Sequence, residues 1–358
     1  MSEQIYLRPA AFIDSPVGFD GTAMRLAGGL QWFSAVEVIR RDGAQLSREL
    51  RPVSGFEHEV AALGVEQEWA NLTGQRAPLQ MGSRTIRLDQ PQVMGILNAT
   101  PDSFSDGGKH GDSQAALDAA HAMTADGAAI IDIGGESTRP GAQAVFEGDE
   151  EQRVMPLVRP LAASGTAVSI DTRKAGIAGL ALGAGAGMVN DVSAMLSDPR
   201  MAGIVATAGC PVVLMHHQGD PQTMQRDPRY DGPVALAVYD WLAERIAAAE
   251  AAGIARDRII VDPGIGFGKS VQHNLELMNQ LALFHGLGCA IMLGASRKRT
   301  IGALSNEAPA ERRLGGSIAF ALKAVEQGAH IVRVHDVFET VQALRIWRGF
   351  RDAAFTAL

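Results

Sequence analysis

Residues 93–134 read VMGILNATPDSFSDGGKHGDSQAALDAAHAMTADGAAIIDIG and hold one full beat of the pattern that decides the fold. A short apolar run, VMGILN (93–98), leads through a polar loop into SQAALDAAHAMTADG (113–127), which has helical composition and ends in Gly, the usual helix stop. A second apolar run, AIIDIG (129–134), follows at once. Strand, helix and strand in direct succession force parallel pairing, because the helix carries the chain back to the starting edge.

The beat continues to the end of the chain. Further strands are expected at AVSID (167–171), MVNDV (188–192), PVVLMHH (211–217), IIVDPG (259–264), AIMLGAS (290–296) and HIVRVHD (330–336). Helical stretches such as DPRMAGIVATAG (198–209) and ALAVYDWLAERIAAAEAAG (235–253) lie between them. Eight such units in roughly 260 residues suit a TIM (β/α)8 barrel. The alternative is a doubly wound open sheet that binds a dinucleotide, and its fingerprint is missing. GIGFGK (264–269) has Lys269, and GAGAGM (183–188) has Met188, where the last glycine of G-x-G-x-x-G belongs. Pro263 likewise replaces the first glycine of a phosphate-binding loop.

Residues 1–90 do not follow the beat and are expected to form a small N-terminal α+β extension, with the barrel spanning 91–358. GGLQWFSAVEVIRRDG (28–43) reads as a strand and turn, SGFEHEVAALGVEQEWANL (54–72) as helical, and RTIRLD (84–89) as a strand covering the barrel's N-terminal end. No function is assigned to this extension.

Composition narrows the chemistry. A net charge of -8 argues against a general nucleic-acid binder, although it permits a local cationic pocket. Cys210 and Cys289 sit beside apolar runs without metal-ligand spacing, so both are expected to be buried thiols. No signal layout opens the chain and no apolar run reaches ~18 residues, which implies a cytoplasmic protein without a membrane partner.

Side chains alternate along a strand, so residues two apart share a face. Arg333 and His335 then follow Ile331 on one face, Asn98 follows Ile96, Asp171 follows Ser169, Asn190 follows Met188 and Asp262 follows Ile260. These polar residues fall at strand C-termini, where barrels of this kind place their chemistry. Taken singly, an Asp or Asn there could be a helix cap, and a His a packed structural residue. Arg333 differs, because an arginine within an apolar strand is costly to bury without an anionic partner. Lys269, Arg297, Lys298 and Arg299, with Arg139, Arg333 and His335, make a cationic set suited to a phosphate-rich substrate. Arg299 could equally be surface charge. His216 and His217 are adjacent and would face opposite ways, so they cannot share a metal, whereas Asn98 could help hold a Mg²⁺ beside pyrophosphate oxygens. Ser296 lacks an evident base, which argues against a Ser–His–Asp triad.

Together these stretches resemble one family. MGILNATPDSFSDGG, IIDIGGESTRPGA, SIDTRK, VNDVS, LMHHQGDPQTMQ, DPGIGFGK, GASRK and IVRVHD stand in order across about 92–349 and are similar to the motifs of the dihydropteroate synthases of folate biosynthesis. The resemblance implies that Asp171, Asn190, Asp262 and Lys298 hold a pterin ring lined by Met215 and Phe267. It implies that Asn98, Arg139, Arg333 and His335 take the pyrophosphate, Asn98 through Mg²⁺. Phe104, Thr138, Arg139 and Pro140 would shape the p-aminobenzoate pocket, and Ser296 would contact its carboxylate. Catalytic roles fall to Arg333, His335, Lys298 and Asp171. A homodimer through C-terminal barrel helices is implied, and sulfonamide sensitivity too, since the GESTRPG loop carries no insertion. Ala99 departs slightly from the pattern, standing where Val is frequent. Two rivals keep the barrel: a methyltetrahydrofolate-dependent methyltransferase, which would not need these loops or the Arg333–His335 pair, and a non-catalytic pterin-binding paralogue.

Overall fold

The computed structural model describes residues 3–99, 108–136, 145–219 and 224–355. Its first strands are β1 (Gln4–Ile13), β2 (Met24–Arg25), β3 (Trp32–Asp42) and β4 (Gln45–Pro52), all antiparallel, with β3 paired to the other three. One face of this sheet, including Leu7, Val36 and Val38, packs on Phe56, Trp69 and Leu72 from the helical segment that follows. Tyr6 and Ile39 on the opposite face join the barrel's outer core instead. The strand expected at 28–43 is therefore β3, but β1 and β4 are additional. Each breaks the strand pattern locally: β1 contains Pro9, which has no N–H for the ladder, and β4 is exposed on both faces and rich in charge.

A hairpin follows, β5 (Leu79–Met81) and β6 (Arg84–Ile86). Its Leu79, Met81 and Ile86, with Leu88 just beyond, cluster with Met94, Ile130, Met188, Val213, Ile260, Met292 and Ile331. Those seven face the lower part of the bore, so the hairpin plugs the N-terminal end, the place expected of RTIRLD. Each such side chain contributes roughly 1.5–3 kcal/mol by leaving water. Gly187 makes the approach possible: a Cβ there would lie 2.8 Å from the Met81 Cα.

The barrel strands are β7 (Gln92–Asn98), β8 (Ile130–Gly134), β9 (Val168–Asp171), β10 (Met188–Asp191), β11 (Val212–Met215), β12 (Ile259–Asp262), β13 (Ala290–Leu293) and β14 (Ile331–Val334). They run parallel and close when β14 pairs with β7, Arg333 opposite Met94. Outward residues such as Ile131, Ile133, Val332 and Val334 meet the surrounding helices in one continuous outer core. Every expected strand is present, although PVVLMHH stops at Met215.

Polar bonds fasten the extension to the barrel. Arg76 donates to the His285 carbonyl at 3.0 Å, Asn71 to that of Gly286 at 2.7 Å, and Gln31 to that of Val325 at 3.0 Å. Tyr6 reaches Asp240 at 2.9 Å, and Arg351 donates to Gln31 at 2.9 Å. Both cysteines are buried and free, and burial pushes the Cys210 thiol up to about 11.

Candidate active site

Above the apolar plug the inward residues change character. Strand period and register bring Asp132 of β8, Asp171 of β9, Asn190 of β10, Met215 of β11, Asp262 of β12 and Arg333 of β14 to the C-terminal end of the bore. Arg333 binds two of the carboxylates: its Nε donates to Asp132 Oδ2 at 2.6 Å and its Nη2 to Asp171 Oδ2 at 2.6 Å. Asn190 Nδ2 donates to the same Asp132 oxygen at 2.9 Å. Glycines on neighbouring strands keep this layer open. A Cβ on Gly134 would sit 3.5 Å from that of Asp171, and one on Gly294 would touch Asp262 Oδ2 at 3.5 Å.

Crowding of acids in low dielectric sets their protonation. Burial pushes the Asp171 carboxyl up to about 7; Arg333 opposes this and Asp132 adds to it. Burial also raises Asp262, against the Gly264 amide that donates to its Oδ1 at 2.7 Å and against the Lys298 and Lys269 charges. Burial alone would weaken the Arg333 guanidinium's hold on its proton, but Asp132 and Asp171 keep it above the ordinary arginine value.

The loop after β12 completes one wall. Gly264 takes a φ of +69°, and a Cβ there would stand 1.9 Å from the His216 carbonyl oxygen, so no other residue fits the turn. Lys269 lies beneath the loop with 2% of its surface exposed and donates to the carbonyls of Gly264 and Phe267, each at 3.0 Å. Its third partner is His216 Nδ1 at 2.8 Å. Lys269 was expected among the mouth cations; it is instead a strut, with all three ammonium donors spent, and burial lowers it to about 7. Phe267, which it holds, lies under Lys298, whose Nζ stands 3.9 Å from the ring centroid.

Arg297 also leaves the cationic set. It occupies the left-handed region at φ 57°, its amide donates to Ser317 Oγ at 2.9 Å, and its Nε pairs with Asp336 at 3.0 Å. That conformation costs an L-residue roughly 1–2 kcal/mol, and the bonds at both ends hold it. Arg299 is exposed, in keeping with surface charge.

Ser296 needs a correction of another kind. A base was not evident for it, yet His335 Nδ1 lies 3.1 Å from its Oγ and the His335 amide donates to it at 3.2 Å. Asp336, the next residue, is committed to Arg297, so this contact does not extend to it as a triad. Asn98 ends β7 half-buried beside Gly134 of β8. Phe104, Thr138, Arg139 and Pro140 lie outside the described residues.

Asp132 and Glu136 escaped the sequence reading. Asp132 within IIDIG is, like Arg333, a charge inside an apolar strand that is costly to bury without a partner. Glu136 is buried at the root of the 137–144 segment and accepts from Arg173 and Lys174, each at 2.7 Å. Nothing local in the sequence distinguishes it from a loop carboxylate.

Comparison with known proteins agrees with this geometry. A family model described as pterin binding enzyme matches residues 94–335. The dihydropteroate synthase of Escherichia coli K12 is 48% identical over 263 residues, 73% of this chain and 92% of the relative. A Xanthomonas albilineans dihydropteroate synthase solved with 4-aminobenzoic acid superposes with a TM-score of 0.73 at 44% identity, covering 77% of this chain and 99% of that one. A Burkholderia cenocepacia dihydropteroate synthase complexed with 7,8-dihydropteroate gives a TM-score of 0.71 at 43% identity over 78% of this chain and 98% of its own. The chain belongs to the pterin binding enzyme family and, within it, to the dihydropteroate synthases.

Proposed function

We propose that this protein condenses 6-hydroxymethyl-7,8-dihydropterin pyrophosphate with p-aminobenzoate, giving 7,8-dihydropteroate and pyrophosphate. The observation that carries the reading is the buried ring of Asp171, Asn190 and Asp262 at one end of the bore, with Arg333 and Lys298 beside it. A pterin offers N–H donors along its 2-amino-pyrimidinone edge, and these acids and the amide oxygen of Asn190 accept them. Lys298 faces the ring's acceptor side, and Met215 and Phe267 line its faces. With Nε and one Nη2 proton of Arg333 spent on carboxylates, its remaining donors serve the leaving group together with His335.

Asn98 supplies one neutral oxygen, and among the described residues no cluster of three metal-ligating side chains stands together. That donor set fits a Mg²⁺ held mainly by substrate phosphates and water. When bound, it neutralises charge building on the departing pyrophosphate.

The bond from the exocyclic methylene to the pyrophosphate oxygen breaks, and the arylamine nitrogen forms the new bond to that carbon. Arg333 and His335 stabilise the charge on the leaving group. Ser296, fixed by His335, takes the p-aminobenzoate carboxylate, with Phe104, Thr138, Arg139 and Pro140 shaping that pocket. The amine is already a neutral nucleophile and sheds its proton after attack, so positioning dominates over general-base catalysis.

We place the enzyme in the cytoplasm as a homodimer. Among the described residues no helix is long and apolar enough to cross a membrane. The helix Val337–Ala354 leaves Phe338, Ile346 and Phe350 exposed, an apolar surface suited to a second copy. Light scattering and cell fractionation test these two points. The activity is tested by incubating the protein with the dihydropterin pyrophosphate, labelled p-aminobenzoate and Mg²⁺; labelled dihydropteroate is expected, and its absence overturns the reading.

A further inference from the structure

Asp132 has no surface exposed to solvent, yet among the described residues only one of its carboxylate oxygens finds a partner. That oxygen, Oδ2, accepts from Arg333 Nε at 2.6 Å and from Asn190 Nδ2 at 2.9 Å. Among the described residues its other oxygen has no hydrogen-bond partner, and neither does the buried Ser169 hydroxyl on the neighbouring strand, where Ser169 is the residue paired with Asp132. A carboxylate kept only to stabilise the fold would be expected to have both oxygens satisfied, because low dielectric penalises each orphaned acceptor. Its bonds instead lead to two residues of the substrate site.

Resting on the functional reading above, we propose that Asp132 is the positioning residue that links the pyrophosphate-binding arm to the pterin-binding arm. Its effect on Asn190 is to choose the amide's orientation. With Nδ2 turned to Asp132, Oδ1 faces away and offers the pterin edge an acceptor rather than a donor. Its effect on Arg333 is to fix the guanidinium plane. With Nε on Asp132 and Nη2 on Asp171, the side chain cannot rotate about its last bonds, so the remaining donors keep one direction. One oxygen therefore sets both the polarity of the ring contact and the aim of the anion contact. An amide at position 132 could still offer one oxygen to both partners, but without the negative charge each bond is weaker and neither partner is held as firmly.

The test compares wild type, Asp132→Asn and Asp132→Glu for folding and for steady-state kinetics per folded molecule with both substrates. Asp132→Asn should lower kcat at least about tenfold and raise the KM for the pterin pyrophosphate several-fold, leaving the KM for p-aminobenzoate within about twofold. Asp132→Glu keeps the charge and guards against a single variant that does not fold, but it moves the accepting oxygen by one methylene. Its kcat per folded molecule should also fall at least about tenfold, again with the KM for p-aminobenzoate within about twofold. A merely structural role predicts that both variants lose stability but keep wild-type kcat and KM per folded molecule, and that result overturns the proposal. So does Asp132→Asn with unchanged kinetics, or with loss of turnover only in proportion to loss of folded protein. If wild type itself makes no dihydropteroate, the functional reading fails rather than this one.

Discussion

Arg333 Nη2 and Asp171 Oδ2 meet at 2.6 Å across the barrel bore, joining β14 to β9 although 162 residues separate them. The contact balances a buried guanidinium against acids whose burial would otherwise hold their protons. On the proposed function, stability and substrate binding consequently share the same atoms.

Removing the guanidinium exposes both sides of that balance. Arg333→Ala leaves Asp132 and Asp171 buried without their cation, a loss of about 3–5 kcal/mol for a broken buried pair, readable by urea denaturation. Turnover should fall by about two orders of magnitude or more, while p-aminobenzoate binding in the ternary state changes little. Equal loss in both would contradict the assignment of Arg333 to the leaving group.

Asp171 sets a pH dependence. Its folded carboxyl titrates at about 7, well above the roughly 3.9 of an unfolded aspartate. Between those values the native state holds more protons than the unfolded state, so this group's contribution makes stability fall as pH rises from about 4 to about 7 and level off above. On the proposed role of Asp171 as a pterin acceptor, binding runs the other way, because only the ionised form accepts the pterin donors. The kcat/KM for the pterin substrate should rise through an apparent pKa near 7 in wild type, and that limb should vanish in Asp171→Asn.

Lys269 supports the wall that carries Phe267. Lys269→Met keeps the length of the side chain but strands the Gly264 and Phe267 carbonyls and His216 Nδ1, costing about 1–3 kcal/mol in thermal or chemical unfolding. The KM for the pterin substrate should rise by roughly tenfold, since the ring under Lys298 loses its fixed position. An unchanged KM would detach this strut from the site.

At the opposite end, Gly187→Ala drives a methyl against the Met81 backbone of the plug. The overpacking should cost about 1–3 kcal/mol in melting experiments. Activity per folded molecule should stay at the wild-type level, because the plug and the mouth lie at opposite ends of the barrel.

Sulfonamides should inhibit in competition with p-aminobenzoate. The expectation comes from the GESTRPG segment, which carries no insertion. Steady-state inhibition at several p-aminobenzoate concentrations checks it; indifference to the drug would refute it.

The sequence by itself determined the barrel and the face each strand turns inward. Strand alternation and helix periodicity are consequences of local backbone geometry, so eight beats of apolar runs and helices suffice to specify them. The same alternation carried Asp171, Asn190, Asp262 and Arg333 to the bore. Only the tertiary structure decided which charges meet. Lys269 and Lys298 look alike in the chain, yet one is a buried strut and the other stands over Phe267 at the mouth. Ser296 found His335 across 39 residues, and Asp132 found Arg333 across 201. Such pairings arise when the barrel closes and desolvation obliges each buried polar group to take the partner that closure brings within reach; periodicity has no term for that choice.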